Sequence, residues 1–223
     1  MRLPSRSLLA SLAVLAASAS QLNAQKGTDS YKWYIGPEAG VMLFKTQNQS
    51  MTGAFAAGGH ILITAKRTAL MVSYDQAFRN NNVSSFSDAS APTGVRSTNF
   101  NNVGRLSFML LAMPVQTHIQ PFIGLGFGIL RTVKNNPDQT GLTSADEVQA
   151  AKDAAGSAGS YGFGAATVGL QLRAGGVAVF GQYQISTGPG SNKLLVGANH
   201  SIMGGIRLSL GSSKDDAGGT VDR

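Results

Sequence analysis

Leu194-Leu195-Val196-Gly197-Ala198-Asn199-His200-Ser201-Ile202-Met203-Gly204-Gly205-Ile206-Arg207-Leu208-Ser209-Leu210 is the stretch that decides the fold. Side chains on an extended strand alternate between two faces. Here Leu194, Val196, Ile202, Ile206, Leu208 and Leu210 share one face, and Asn199, Ser201, Arg207 and Ser209 share the other. Three glycines lie inside the run, where they work against a helix. The run also exceeds the ~9–11 residues that a tilted strand needs to cross a bilayer.

Seven more alternating segments precede it, near 32–44, 53–64, 68–79, 99–111, 119–131, 161–173 and 177–187. The connections alternate in length. Lys66-Arg67, the segment around Pro114 and Ala174-Gly175-Gly176 are short, whereas 80–98 and 132–160, and to a lesser degree 45–52 and 188–193, are longer. Short periplasmic turns and long outer loops mark bacterial outer-membrane barrels. The pattern predicts an all-β fold: a single eight-stranded antiparallel up-and-down transmembrane β-barrel over 25–210. Thr143-Ser144-Ala145-Asp146-Glu147 opens like a capped helix, and helix formers run from Val148 to Ala155 before Gly156. This predicts a short helix in the third outer loop.

Residues 1–24 read as a cleaved signal peptide: Arg2 and Arg6, then an uncharged Leu8–Ala19, then Leu22-Asn23-Ala24. The apolar run is too short for a spanning helix, which needs ~20 residues. Polar, glycine-rich 211–223 reads as a disordered periplasmic tail. The chain has no cysteine, which removes thiol catalysis and thiolate metal sites. Only 13% of residues are charged, against about 25% in soluble domains, and a lipid-facing surface accounts for the difference. The net charge is +7, yet the basic residues are scattered without interleaved aromatics, so no nucleic-acid partner is expected.

The other segments split into faces as the last one does. Phe100, Leu106, Phe108 and Leu110 oppose Asn101, Arg105 and Ser107; Val177, Val179, Tyr183 and Ile185 oppose Gln182, Gln184 and Ser186. Leu70, Val72, Tyr74 and Phe78 oppose Ser73 and Asp75; Trp33, Ile35, Val41 and Leu43 oppose Glu38; Phe55, Ile61 and Ile63 oppose His60. The polar face is sparse and rich in small residues. It suits the crowded interior of a narrow barrel, which eight strands leave just wide enough for side chains to fill. Glu38, His60, Asp75, Arg105, Arg173 and Arg207 then point inward, and their carboxylates and guanidiniums should pair in a closed, salt-bridged lumen. Tyr31, Trp33 and Tyr34 are placed for an interfacial girdle.

Two stretches, Pro121-Phe122-Ile123-Gly124-Leu125-Gly126-Phe127-Gly128 and Asn199–Leu210, resemble a mid-barrel strand and the last strand of the OmpA-like and OmpX-like eight-stranded outer-membrane barrels. The resemblance spans essentially the whole mature chain. It implies recognition by the outer-membrane assembly machinery through Gly205, Leu208 and Leu210, although the usual terminal aromatic is absent and thirteen residues follow Leu210.

Motifs for chemistry are few. Gly124-x-Gly126-x-Gly128 has no following helix to cradle a phosphate, and Gly188-Pro189-Gly190-Ser191-Asn192-Lys193 reads as a turn. Some barrels of this shape modify lipid A, and His200-Ser201 would be the pair to do it. Adjacent strand residues face opposite sides, however, so they form no dyad. His60 and His118 have no serine at a suitable spacing. No catalytic residue, cofactor or metal is expected.

The leading expectation is a structural, membrane-integrity barrel and a monomer, with outer-membrane lipid and lipopolysaccharide as partners. The alternatives are a small porin or surface adhesin acting through its outer loops, Asn80–Ser97 and Asp146–Lys152, and a lipid A–modifying enzyme. Lys45, Arg79, Arg131 and Lys134 would sit at the outer rim, where lipopolysaccharide phosphates offer counter-charges.

Overall fold

The structure is a computed structural model that describes residues 31–115 and 117–213, with side chains to Leu210. The expected signal peptide and the tail beyond 213 lie outside the described residues. In chain order the elements are β1 (Tyr31–Thr46), β2 (Thr52–Ala65), β3 (Thr68–Phe78), β4 (Asn82–Ser87), β5 (Val95–Ala112), β6 (Ile119–Pro137), α1 (Ala145–Ala158), β7 (Ser160–Ala174), β8 (Val177–Ser186) and β9 (Leu195–Ser213). Every neighbouring pair is antiparallel, and β1 also pairs with β9, which closes the sheet. Short β4 continues β3 along the same partner, β5, so the barrel has eight staves. Closure leaves no open edge in the spanning region, which a membrane requires.

The apolar face points outward. On β6, Ile123, Leu125, Phe127 and Ile129 are all more than half exposed, while Phe122 and Leu130 are buried. The same alternation places Val177, Val179, Tyr183 and Ile185 outside and Gln182, Gln184 and Ser186 inside β8. Two-residue turns at Lys66-Arg67 and Gly175-Gly176 and the 113–118 connection lie at one end. Lys66 and Gly175 both have positive φ, +47° and +61°, as tight hairpins require. The connections 47–51, 88–94, 138–159 and 187–194 lie at the other end.

Several boundaries differ from the sequence expectation, each for a local reason. Much of 80–98 is a hairpin extension, β4 with the start of β5, and only 80–81 and 88–94 lie outside strands. The β3–β4 junction and its partner strand both bulge. Asn81 and Asn102 have φ of 57° and 55°, and the side chains of Asn102 and Asn101 accept from the backbone N–H of Arg79 and Asn81 at 3.1 and 3.0 Å. The extra residue in β5 reverses the alternation, so Phe100 is buried inside and not on the outer face. Leu194 also turns inward, because the strand starts only at Leu195. Its N–H donates to Ala158 at 3.0 Å and its carbonyl accepts from Ser84 Oγ at 2.6 Å. Tyr34 faces the lumen and not the girdle, as its even position on β1 dictates, whereas Tyr31 and Trp33 are exposed. β9 continues to Ser213, three residues into the stretch expected to be unstructured.

The helix forms where Ser144 and Glu147 make a reciprocal capping box. It runs past Gly156 to Ala158 and is capped by Gly159. It lies in the β6–β7 connection and buries Ala151, Ala155 and Ala158.

Candidate functional site

The candidate site is the filled lumen. Glu38 on β1 is cross-strand from Gly58 on β2 and Gly205 on β9, with Gly36 and Gly40 flanking it on its own inner face. This glycine-walled niche leaves room for large polar groups. A Cβ on Gly58 would lie 2.0 Å from the Tyr74 carbonyl oxygen and 2.7 Å from Asp75 Oδ1, and one on Gly205 would lie 2.2 Å from the Pro37 carbonyl oxygen and 2.9 Å from Phe180 Cε1. The side chains of Glu38 and Asp75 meet across Gly58.

Asp75 and Arg105 are cross-strand partners on β3 and β5. Arg105 donates to Asp75 Oδ2 from Nη2 at 2.8 Å and from Nε at 3.3 Å. Its Nη1 donates to Ser201 Oγ at 2.8 Å. Ser201 sits on β9, four staves from β5 in either direction, so this bond crosses the full width of the lumen. All three side chains are buried.

Below this layer Arg207, 0% exposed, makes no ion pair with a carboxylate among the described residues, where the sequence reading expects one. Its Nε donates to His60 Nε2 at 3.2 Å, its Nη1 donates to Gln171 Oε1, and its guanidinium lies over the rings of Phe180 and Phe122 at 4.0 and 5.3 Å. Aromatic faces offer a desolvated guanidinium an attraction that needs no countercharge. Glu38 likewise makes no ion pair with an arginine among the described residues; His60 Nδ1 lies 3.5 Å from its Oε2. Arg173 lies at the short-turn mouth, half-buried, and donates to Tyr34 Oη at 2.7 Å.

The other end is roofed by apolar side chains. Phe44, Phe86, Phe100, Leu130, Leu194, Leu195, Ala155 and Ala158 are all buried there in one cluster. The connections are tied together above them. Lys193 Nζ donates to the carbonyls of Ser157 and Ser160 at 2.6 and 2.8 Å, and Asn192 Oδ1 accepts from Ser87 N–H at 2.5 Å.

In the 88–94 turn, Asp88 accepts from Arg96 Nε and, at 2.6 Å, from Ser90 Oγ. Chiefly the Arg96 bond, then the Ser90 hydroxyl, holds its carboxyl down at about 2. A depressed carboxylate contributes stability above its unfolded value of ~3.9 and loses it as pH falls through the folded value. Hydrogen exchange at the amides of Ala91 and Gly94, which close this turn, should accelerate between pH 4 and 2 beyond the intrinsic chemical trend. Asp88→Ala should abolish that excess; an unchanged excess would assign it to another group.

His200 and Ser201 point to opposite sides of the wall: Ser201 binds Arg105 inside, and His200 Nδ1 meets Tyr183 Oη at 2.6 Å outside. Among the described residues no cluster of His, Asp and Glu could hold a metal ion. Gln120, Gln171 and Tyr161, also buried inside the lumen, are not found by the sequence reading, because they lie on the glycine-rich segments 119–131 and 161–173, where small residues blur the division into two faces.

No protein-family model and no curated protein matches the chain. Among solved structures, Neisserial surface protein A (NspA) superposes with a TM-score of 0.53 at 11% identity, covering 79% of this chain and 96% of that one. The N-terminal β-barrel domain of Pseudomonas aeruginosa OprF aligns at 8% identity over 79% of this chain and 96% of that one, with a TM-score of 0.44. Closed by β1 and β9, with its apolar face outward, the chain has the fold of an eight-stranded outer-membrane β-barrel.

Proposed function

We propose that this protein is a structural component of the bacterial outer membrane: a monomeric, non-enzymatic barrel whose lumen is closed by its own side chains. The observation that carries this reading is the Arg105 bridge, which joins Asp75 on one wall to Ser201 on the opposite one. A charged group fixed at both walls of so narrow a barrel leaves no continuous water path, and the apolar roof adds a second seal.

In this reading the long connections face outward and the two-residue turns face the periplasm. Lys45, Arg79, Arg131 and Lys134 are exposed at the rim, placed to meet lipopolysaccharide phosphates. Leu208 and Leu210 on the outer face of β9 remain available with Gly205 as the assembly signal.

Planar-bilayer recording on the refolded protein tests the closed lumen. Wild-type protein should show no stable conductance at neutral pH. A stable, large conductance from the wild type would sink the reading.

A further inference from the structure

The short-turn mouth holds a cavity of about 260 Å³ lined by Thr117, His118, Gln120, Arg173 and Gly175. Its electrostatic character follows from a hydrogen-bond chain that begins deep in the lumen. Arg207 can only donate, so Gln171 turns its Oε1 to that guanidinium. Gln171 then has only Nε2 to offer the next residue, and it donates to Gln120 Oε1 at 2.6 Å. The amide orientations are thereby fixed in series. Gln120 is left with donor N–H groups at the cavity wall, and its Nε2 makes no hydrogen bond among the described residues.

Arg173 adds the charge. One of its donors is engaged by Tyr34 Oη, and its backbone N–H donates to the His118 carbonyl at 2.8 Å, which fastens the two walls together. The guanidinium lies 5.7 Å from the centre of the same tyrosine ring, and Tyr34 Oη is its one hydrogen-bond acceptor among the described residues. No carboxylate lines the cavity among those residues. We propose that this mouth is a binding site for an oxyanion, phosphate or carboxylate, held by Gln120, Arg173 and His118. Guanidinium and amide N–H groups converging on one small space suit two oxygens of one anion. A free anion and the phosphate of a lipid headgroup share this chemistry.

Calorimetric titration of the refolded full chain in neutral detergent tests the site, with inorganic phosphate and short-chain phosphatidylglycerol as separate probes at matched ionic strength. At least one probe should bind. Binding of phosphate alone assigns a soluble anion, and binding of the lipid alone or of both admits the headgroup. Arg173→Gln and the isosteric Gln120→Glu should each weaken binding about tenfold or more, on the scale of a lost charge-assisted hydrogen bond. Exposed His118, where substitution leaves the barrel wall intact, should give a several-fold loss as His118→Ala. No binding of either probe by the wild type, or undiminished binding by the folded variants, would overturn the proposal.

Discussion

Arg105→Leu should destabilise the folded barrel by about 3–5 kcal/mol, the range for removing one partner of a buried ion pair. Asp75 is fully buried, and Arg105 is its only ion-pair partner among the described residues. Truncation would strand a carboxylate inside a low-dielectric wall and remove the donor to Ser201. The cost is mainly the penalty of the group left behind, not the net worth of the pair. Replacing both residues, as Asp75→Leu with Arg105→Leu, should therefore recover much of the loss. Reversible urea unfolding in lipid or detergent, followed through Trp33, the only tryptophan, measures both variants and their coupling. A single-variant loss below about 1 kcal/mol, typical of an exposed pair, would place Arg105 in contact with solvent.

The direction of the barrel was readable from sequence because a period-2 pattern survives wherever the ladder is regular. The sparse polar face of β8 and β3 could be assigned without knowing any partner. The alternation misled only where the backbone leaves it. Phe100 sits beside a bulge set by Asn102 at positive φ, and asparagine tolerates that conformation better than most residues. The asparagine-rich stretches 80–82 and 99–102 were a usable hint of irregularity. Leu194 follows the parity of β9 in sequence but belongs to the loop that roofs the mouth.

The identities of the lumen partners were harder to read than the faces. Arg105 and Ser201 are 96 residues apart and meet only because closure sets β5 opposite β9. Charge counting also assumed that each guanidinium must find a carboxylate. Arg207 instead uses His60, which the face pattern already places inside, together with Gln171 and two aromatic faces, which a balance of charges does not bring to notice. Glycine density has the same origin. Gly58 and Gly205 are small because a side chain there would first run into the backbone of the neighbouring strand, at the Tyr74 and Pro37 carbonyls, and then into Asp75 Oδ1 and the Phe180 ring. Removing charge from the outside and volume from the inside are thus two consequences of one narrow, lipid-embedded wall.

Placing arginine at Leu125 tests that wall from the lipid side. Leu125 lies on the outer face of β6, 69% exposed, within the run Ile119 to Ile129 of outward apolar residues. In a bilayer this position is near the middle of the apolar band, where a basic side chain costs about 2–4 kcal/mol. Farther along the same strand Asn136 is exposed beyond Arg131 and Lys134, where the polar boundary has been passed. Asn136→Arg should therefore change stability by no more than ~1 kcal/mol. A water-soluble barrel would reverse the logic, because an exposed leucine-to-arginine change would relieve apolar surface and leave stability almost untouched. Folding titrations of both variants into lipid vesicles separate the cases. A large penalty at 125 with none at 136 locates the hydrocarbon layer along β6, and equal, small effects at both positions would remove the membrane from the account.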